Sequence, residues 1–232
     1  AADYLINKSL KVRLLVSKKS NFETNNKLEH ENLTIKKIDW ESKENIQETI
    51  DGGDVMLHFA GMNANDCFDN PMEAYNFNAL KTNDLLDCAV KTIIKKFIFF
   101  STVHVYKKNL MGFINENTPA SNDHPYGTSN KAGEDFVINC QAKNEMECFI
   151  LRLSNAFGAP LNINQNCWSL LINNICRQIF EDGKIVIHSD PNQFRNFVSI
   201  ESINNIIYNF ITKNYIKSGI IYNVGSDNTL TI

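Results

Sequence analysis

Pro125-Tyr126-Gly127-Thr128-Ser129-Asn130-Lys131-Ala132-Gly133-Glu134 is the stretch that decides how this chain folds, read with Phe97-Ile98-Phe99-Phe100-Ser101-Thr102-Val103-His104-Val105-Tyr106 upstream. The upstream run is apolar and ends in two hydroxyls, the pattern of a buried strand with a polar tip. The downstream run puts a tyrosine at the start of a helix. One turn further stands Asn130, and the first cation, Lys131, follows one residue later.

Working outward, strand-like and helix-like segments alternate. Residues 12–16 and 33–38 read as strands, the second closing on Asp39-Trp40. Residues 43–50 read as a helix stopped by Gly52-Gly53, and residues 54–60 as a buried strand ending at Gly61. Helical periodicity runs over 71–92 through Ala74, Phe77, Leu85, Leu86 and Ala89. A strand over 96–101, a helix over 126–143 and a strand over 149–153 follow. Such alternation predicts parallel β-α-β units, and hence an α/β fold with a doubly wound parallel sheet. Beyond Asn155 the rhythm loosens. The expectation there is a helix over 168–181, strands over 184–188 and 195–200, a helix to about Thr212 and a strand over 220–224. The chain thus divides into residues 1–155, a dinucleotide-binding type of domain, and residues 156–232, a smaller region suited to holding substrate.

A chain of 232 residues can bury a substantial core. Its net charge of -3 leaves no footprint for nucleic acid or an anionic membrane. No apolar run reaches the roughly 20 residues that span a bilayer. The six cysteines lack CxxC or metal-ligand spacing, and the five histidines are dispersed. That pattern predicts reduced thiols, a cytoplasmic location and no metal site.

Six segments in register resemble the extended short-chain dehydrogenase/reductase family, the nucleotide-sugar epimerases and dehydratases. They are residues 54–61; Asn78; Ser101-Thr102-x-x-Val105-Tyr106 with Tyr126; residues 151–158; Arg195-Asn196-Phe197-Val198; and Tyr222-Asn223-Val224-Gly225. The family opens with a strand and a GxxGxxG turn that seats the pyrophosphate on a helix N-terminus. Ala1-Ala2-Asp3-Tyr4-Leu5 reads instead as the helix after that turn, and Thr229-Leu230-Thr231-Ile232 stops short of the family's end. The expectation is an internal fragment of a longer protein.

The resemblance implies a nicotinamide-dependent oxidoreductase in which Tyr126 transfers the proton as hydride leaves a sugar carbon. A phenol titrates near pH 10, so the family lowers it with a lysine one turn on and the positive nicotinamide. Thr102 would orient the substrate oxygen, and Ser101 would line the nicotinamide pocket. Asn130, in the lysine's place, can bond ribose hydroxyls but supplies no charge. Lys131 lies about 100° further round the helix; it either curls back to the ribose or is a surface lysine. Family members that dehydrate carry Asp-Glu where Val103-His104 stand, which argues against dehydration and leaves epimerisation or keto-sugar reduction. His104, two residues past Thr102 and on the same face of an extended segment, is either an acid–base residue for a second step or a structural histidine.

For the cofactor, the resemblance implies NAD(P). Ser17-Lys18-Lys19 stands where an acid would select NAD, a lean towards NADP; a solvated loop pair is the alternative. Asp39 and Trp40 fall near the adenine, unless they form a surface turn. Ala60 and Gly61 allow close approach, and Asn78 and Leu153 complete the cofactor set. Asn155 and Arg195 match positions that contact the nucleotide diphosphate of the substrate, for which an arginine fork is suited; an ion pair is the other use of Arg195. Asn166-Cys167-Trp168 would line the nucleotide pocket, or Trp168, opening a helix, belongs to the core. A homodimer through the Tyr126 helix and the long helix before it is also implied. The competing class is a non-catalytic sensor or scaffold on the same fold, and Asn130-Lys131 divides the two.

Overall fold

The computed structural model describes residues 1–20, 30–107, 112–143, 145–160, 167–187, 190, 192–213 and 220–231. Strands β3 (Val55–His58), β4 (Lys96–Thr102), β5 (Glu147–Leu153) and β8 (Ile221–Val224) pair in that order as an all-parallel sheet. β4 and β5 are apolar along almost their whole length because helices cover both faces. Alternation then sorts their side chains. Phe97, Phe99 and Ile150 meet helices α2 (Lys43–Ile50), α5 (Lys81–Ala89) and α6 (Pro125–Ala142). Ile98, Phe149 and Leu151 meet α1 (Ala2–Ile6) and α8 (Ile200–Thr212). Phe97, Ile98, Ile150 and Leu151 are fully buried, each contributing about 1.5–3 kcal/mol of transfer free energy.

The expected α/β class and parallel winding are present, with one correction. β1 (Val12–Ser17) and β2 (Leu33–Ile38) form a separate parallel pair rather than extending the larger sheet. Arg13 anchors that pair by donating to the Thr49 carbonyl (3.0 Å) and the Asp51 carbonyl (2.5 Å) at the end of α2. A third sheet joins β6 (Asn155–Phe157), β7 (Phe194–Ser199) and β9 (Thr229–Thr231), antiparallel only between the last two.

The boundary expected at residue 155 is crossed twice. β8 pairs with β5, and α8 packs Ile203, Ile207 and Phe210 under the larger sheet. The buried Lys96 amine donates to the Phe210 carbonyl (2.8 Å), placing a cation at the negative end of α8.

Three local expectations change. The helix expected over 71–92 is α4 (Pro71–Tyr75), a π-helical segment (Asn76–Leu80) and α5, and a short helix α3 (Ala64–Asp69) precedes it. The helix expected from Trp168 begins later, as α7 (Leu171–Asp182), and ends on the left-handed Gly183. Residues 184–187 form no strand: the Gln178 side chain satisfies both backbone groups of Val186, removing the need for a ladder. His188 and Asn166 lie outside the described residues.

A buried ion pair locks α6 to the sheet. Glu134 on α6 is fully buried and takes a two-pronged contact from Arg152 on β5, at 2.9 and 2.7 Å. The Ser101 hydroxyl donates to the same carboxylate (2.5 Å). The third guanidinium nitrogen donates to the Tyr106 hydroxyl (2.8 Å), which in turn contacts Asn223 on β8 (2.8 Å). Removing one member of such a pair strands a charge, at about 3–5 kcal/mol, whereas replacing both is far milder. Glu134→Leu should therefore destabilise by about that amount in urea unfolding, and adding Arg152→Met should recover most of it. Equal losses in the single and double variants would show that charge stranding is not the cause.

Candidate active site

Parallel strands deliver their C-terminal ends to one edge, the usual place for a site in an open α/β sheet. Thr102 ends β4, Leu153 ends β5 opposite both Thr102 and Val224, and Ala60-Gly61 follow β3. Tyr126 lies in the first turn of α6. Pro125 occupies that turn without wasting a donor, and His124 caps it, its Nδ1 accepting from the Tyr126 N–H (3.1 Å). Asn122 fixes the approach: it donates to the Tyr106 carbonyl (2.9 Å) and accepts from the His124 N–H (2.8 Å).

Thr102 and Tyr126 come together at this edge. Burial pushes the Tyr126 pKa above its ordinary value, and the nearby Thr102 hydroxyl offsets this only in part. His104 joins them, its ring centroid 5.9 Å from that of Tyr126. The premise of an extended segment is corrected, since Val103–Val105 is a 3-10 turn. Thr102 makes that turn by accepting from the His104 N–H (3.1 Å), so the two converge by capping rather than by strand alternation. His104 reaches solvent, yet surrounding protein, Arg195 and His124 together hold its pKa below the ordinary value. The Arg195 guanidinium acts on His104 through its charge and donates to Gln193 (2.9 Å).

Close backbone approach makes this convergence possible. A Cβ at Gly127 would lie 2.3 Å from the His104 carbonyl oxygen, and one at Gly133 2.6 Å from that of Asn78. Asn78, in the π segment, accepts from the Met62 N–H (2.7 Å) and donates to the Ser129 hydroxyl (2.9 Å). It so ties the loop after β3 to the turn of α6 that follows Tyr126. Its carbonyl takes the Thr82 hydroxyl (2.8 Å), which meets His58 (3.0 Å). Burial pushes the His58 pKa down to about 4, so this histidine is neutral scaffold.

Other expected site residues have partners of their own. Asn130 is buried and donates to the Tyr126 carbonyl (2.8 Å). Lys131 pairs with Asp135 one turn along α6, which directs its amine along the helix surface. Ser101 is buried, and its hydroxyl donates to the buried Glu134. Asn155 donates to the Asn196 carbonyl (2.8 Å) and so ties β6 to β7. Ser17 accepts from the Lys19 N–H (3.3 Å), and Lys18 pairs with Asp39 (3.2 Å). Trp40 stands edge-on to Phe77, centroids 5.4 Å apart. Asn196 clasps the turn after β8, donating to the Ser226 carbonyl (2.7 Å) and accepting from the Ser226 N–H (3.1 Å).

Sequence reasoning missed Cys67, His124 and Gly127. His124-Pro125 carries a readable signal, a polar residue before a helix-opening proline. Cys67 carries none; burial pushes its thiol upward, and it sits near enough to act on the Tyr126 phenol. Among the described residues no cluster is placed to hold a metal ion, and no helix is long and apolar enough to cross a membrane.

Residues 1–225 match the family model described as NAD dependent epimerase/dehydratase family. The mouse (Mus musculus) dTDP-D-glucose 4,6-dehydratase is 29% identical over 183 residues, covering 77% of this chain and 49% of that protein. The chain thus spans about half the length of this curated relative. A UDP-N-acetylglucosamine 4-epimerase from Methanobrevibacter ruminantium M1, in complex with UDP-N-acetylmuramic acid, superposes with a TM-score of 0.85 at 22% identity, over 99% of this chain and 74% of that one. MoeE5 in complex with UDP-glucose and NAD does so with a TM-score of 0.79 at 17% identity, over 98% and 72%. At those identities the structures establish the fold.

Gly127→Ala forces its methyl against a backbone oxygen that cannot swing away. It should cost about 1–3 kcal/mol, lowering Tm by roughly 2–4 °C for each kcal/mol in a chain of this size. Gly53→Ala, with its nearest contact at 3.4 Å, is the control and should melt near the wild-type temperature. Equal melting of all three proteins would show that α6 is not held by this contact.

Proposed function

Because the chain belongs to the NAD-dependent epimerase/dehydratase family, we propose that the protein is an NAD(P)-dependent nucleotide-sugar oxidoreductase, an epimerase in the first instance and a keto-sugar reductase in the second. The observation that carries this reading is the meeting of the Thr102 hydroxyl and the Tyr126 phenol at the sheet's C-terminal edge. Thr102 holds the substrate hydroxyl at reacting distance, and Tyr126 exchanges its proton. Arg195, beside His104, binds the diphosphate, and Asn155 supports that wall. Val103 supplies no carboxylate for loss of a hydroxyl, which favours epimerisation over dehydration. Residues 1–155 hold the dinucleotide and residues 156–232 most of the sugar nucleotide.

A bound nicotinamide dinucleotide supplies the hydride acceptor. The residues present fit its adenosine end: Asp39 suits a ribose 2′-hydroxyl, and the small Ala60-Gly61 leave room for backbone approach. Lys18 is shared with Asp39, so the NADP preference operates when a 2′-phosphate draws Lys18 away from that carboxylate, with Lys19 next in sequence as a second cation. Homodimerisation uses the outer faces of α6 and the helix before it, where Met72 and Leu80 are exposed beside a cavity of about 200 Å³ lined by Tyr75, Val105 and Lys131. A cytoplasmic setting is supported by the six free cysteines.

The sensor reading is favoured by one observation, the Lys131–Asp135 pair, which engages the Lys131 amine away from a Tyr126 phenol whose pKa burial already raises. Incubating the full-length protein with a panel of nucleotide sugars and each dinucleotide separates the two. Tyr126→Phe should cut turnover by about 10²–10⁴ while sparing dinucleotide affinity. Unchanged turnover in that variant would remove Tyr126 from the chemistry, and dinucleotide binding without turnover in the wild type would establish the sensor reading.

The pH profile offers a second check. A phenol with a raised pKa is a base only once ionised, so kcat/KM should climb through the alkaline range. Asn130→Lys should move that limb down by about 1–3 units; an unmoved limb would mean that Tyr126 is not the titrating base.

A further inference from the structure

The start of α6 hangs on one histidine. Asn122 accepts from the His124 N–H (2.8 Å), and the His124 carbonyl takes the Thr128 N–H (3.1 Å) and hydroxyl (3.3 Å). Its ring stacks on Phe68 of α3, with centroids 5.8 Å apart and planes within 26°. The ring nitrogen Nδ1 accepts from the Tyr126 N–H (3.1 Å). A backbone N–H can only donate, so this bond requires a lone pair on Nδ1 and an uncharged ring with its proton on Nε2. N-caps are ordinarily Ser, Thr, Asp or Asn, whose oxygens accept throughout the neutral range. Histidine is the side chain whose charge changes between about pH 5 and 8. His124 is only half-buried, so water can deliver the proton.

Protonation acts on this cap twice. A proton on Nδ1 turns the acceptor into a donor facing the Tyr126 N–H, and the new charge sits at the positive end of the α6 dipole. The surroundings do not offset it. His124 and Arg195 of β7 both act on His104 of the 3-10 turn through their charge, so that side already carries a cation. On α3, Cys67, Asp66 and Asp69 flank Phe68, and Asp123 precedes His124 in the chain. Asp66 takes up the Asn63 amide (2.7 Å), and among the described residues none of the three carboxylates pairs with the His124 ring.

Resting on the oxidoreductase reading, we propose that His124 is a positioning residue for Tyr126, a proton-gated cap that holds the first turn of α6 while neutral and releases it when charged. As the pH falls, Tyr126 loses its alignment with Thr102, independently of the ionisation of the phenol itself.

The Tyr126 amide reports the release directly. The full-length protein is prepared with 15N-labelled tyrosine, and amide exchange is followed by NMR between about pH 8 and 5; the Tyr126 peak is the one that Tyr126→Phe removes. Corrected for intrinsic exchange, its protection in wild type should fall by about 2- to 30-fold, the loss of an N-cap expressed as an equilibrium. In His124→Asn, which keeps an acceptor that does not titrate, protection should stay level. The ratio of kcat in His124→Asn to that in wild type should rise by about the same 2- to 30-fold on acidification, a comparison in which the phenol cancels. His124→Ala should lose kcat at every pH with KM little changed. A wild-type amide as indifferent to pH as that of His124→Asn overturns the proposal, as does a folded His124→Ala protein that turns over as fast as His124→Asn. Should His124→Ala not fold, wild type and His124→Asn carry the test alone. Amide release without turnover of any nucleotide sugar keeps the cap and removes the oxidoreductase reading; turnover with an unresponsive amide removes the cap and keeps that reading.

Discussion

The Glu134–Arg152 pair is the constraint on which the strand-end geometry depends. Two charges withdrawn from water are tolerated only when every remaining donor and acceptor finds a partner. Here that requirement recruits Ser101 from β4, Tyr106 from the segment after the 3-10 turn and Asn223 from β8. Three strands and α6 therefore share one polar knot beneath the site. A helix pinned midway cannot rotate or slide at its start, and Tyr126 inherits that rigidity. The pair itself adds little net stability; its contribution is that other registers of α6 would strand a charge.

Above the knot, the site is assembled by the absence of side chains as much as by their presence. Gly127 and Gly133 bring α6 against the His104 and Asn78 carbonyls at distances that no Cβ allows. The π segment places Asn78 where one side chain bridges the loop after β3 and α6. Asn196 performs the matching task further along the chain, closing the turn after β8 onto β7. These contacts explain why segments distant in sequence reach the same few ångströms around Thr102, His104 and Tyr126.

The parts legible in the sequence are those set by local pattern. The apolar runs of β4 and β5, the helix 43–50 and the motif residues at strand ends all follow from periodicity or from resemblance. The parts that were not legible are decided by tertiary partners. Ser101 looks like a pocket hydroxyl until Glu134 arrives from 33 residues away. Lys131 pairs with Asp135, a partner that the choice between the ribose and the open surface did not include. The π segment, Asn76–Leu80, carries neither glycine nor proline, so no helix-breaking residue announces it. The run 184–187 has strand composition, yet Gln178 supplies the bonds that a ladder would have made.

The buried Asn130 side chain donates to a carbonyl of its own helix, whereas Gly127 is wedged against a backbone oxygen of another segment. The two positions, three residues apart, are therefore constrained in different ways: 127 by the space another segment leaves for any Cβ, 130 by a bond made within α6 itself. One helical turn thus carries both the seating of α6 on its neighbours and a bond internal to the helix, each set by a different residue.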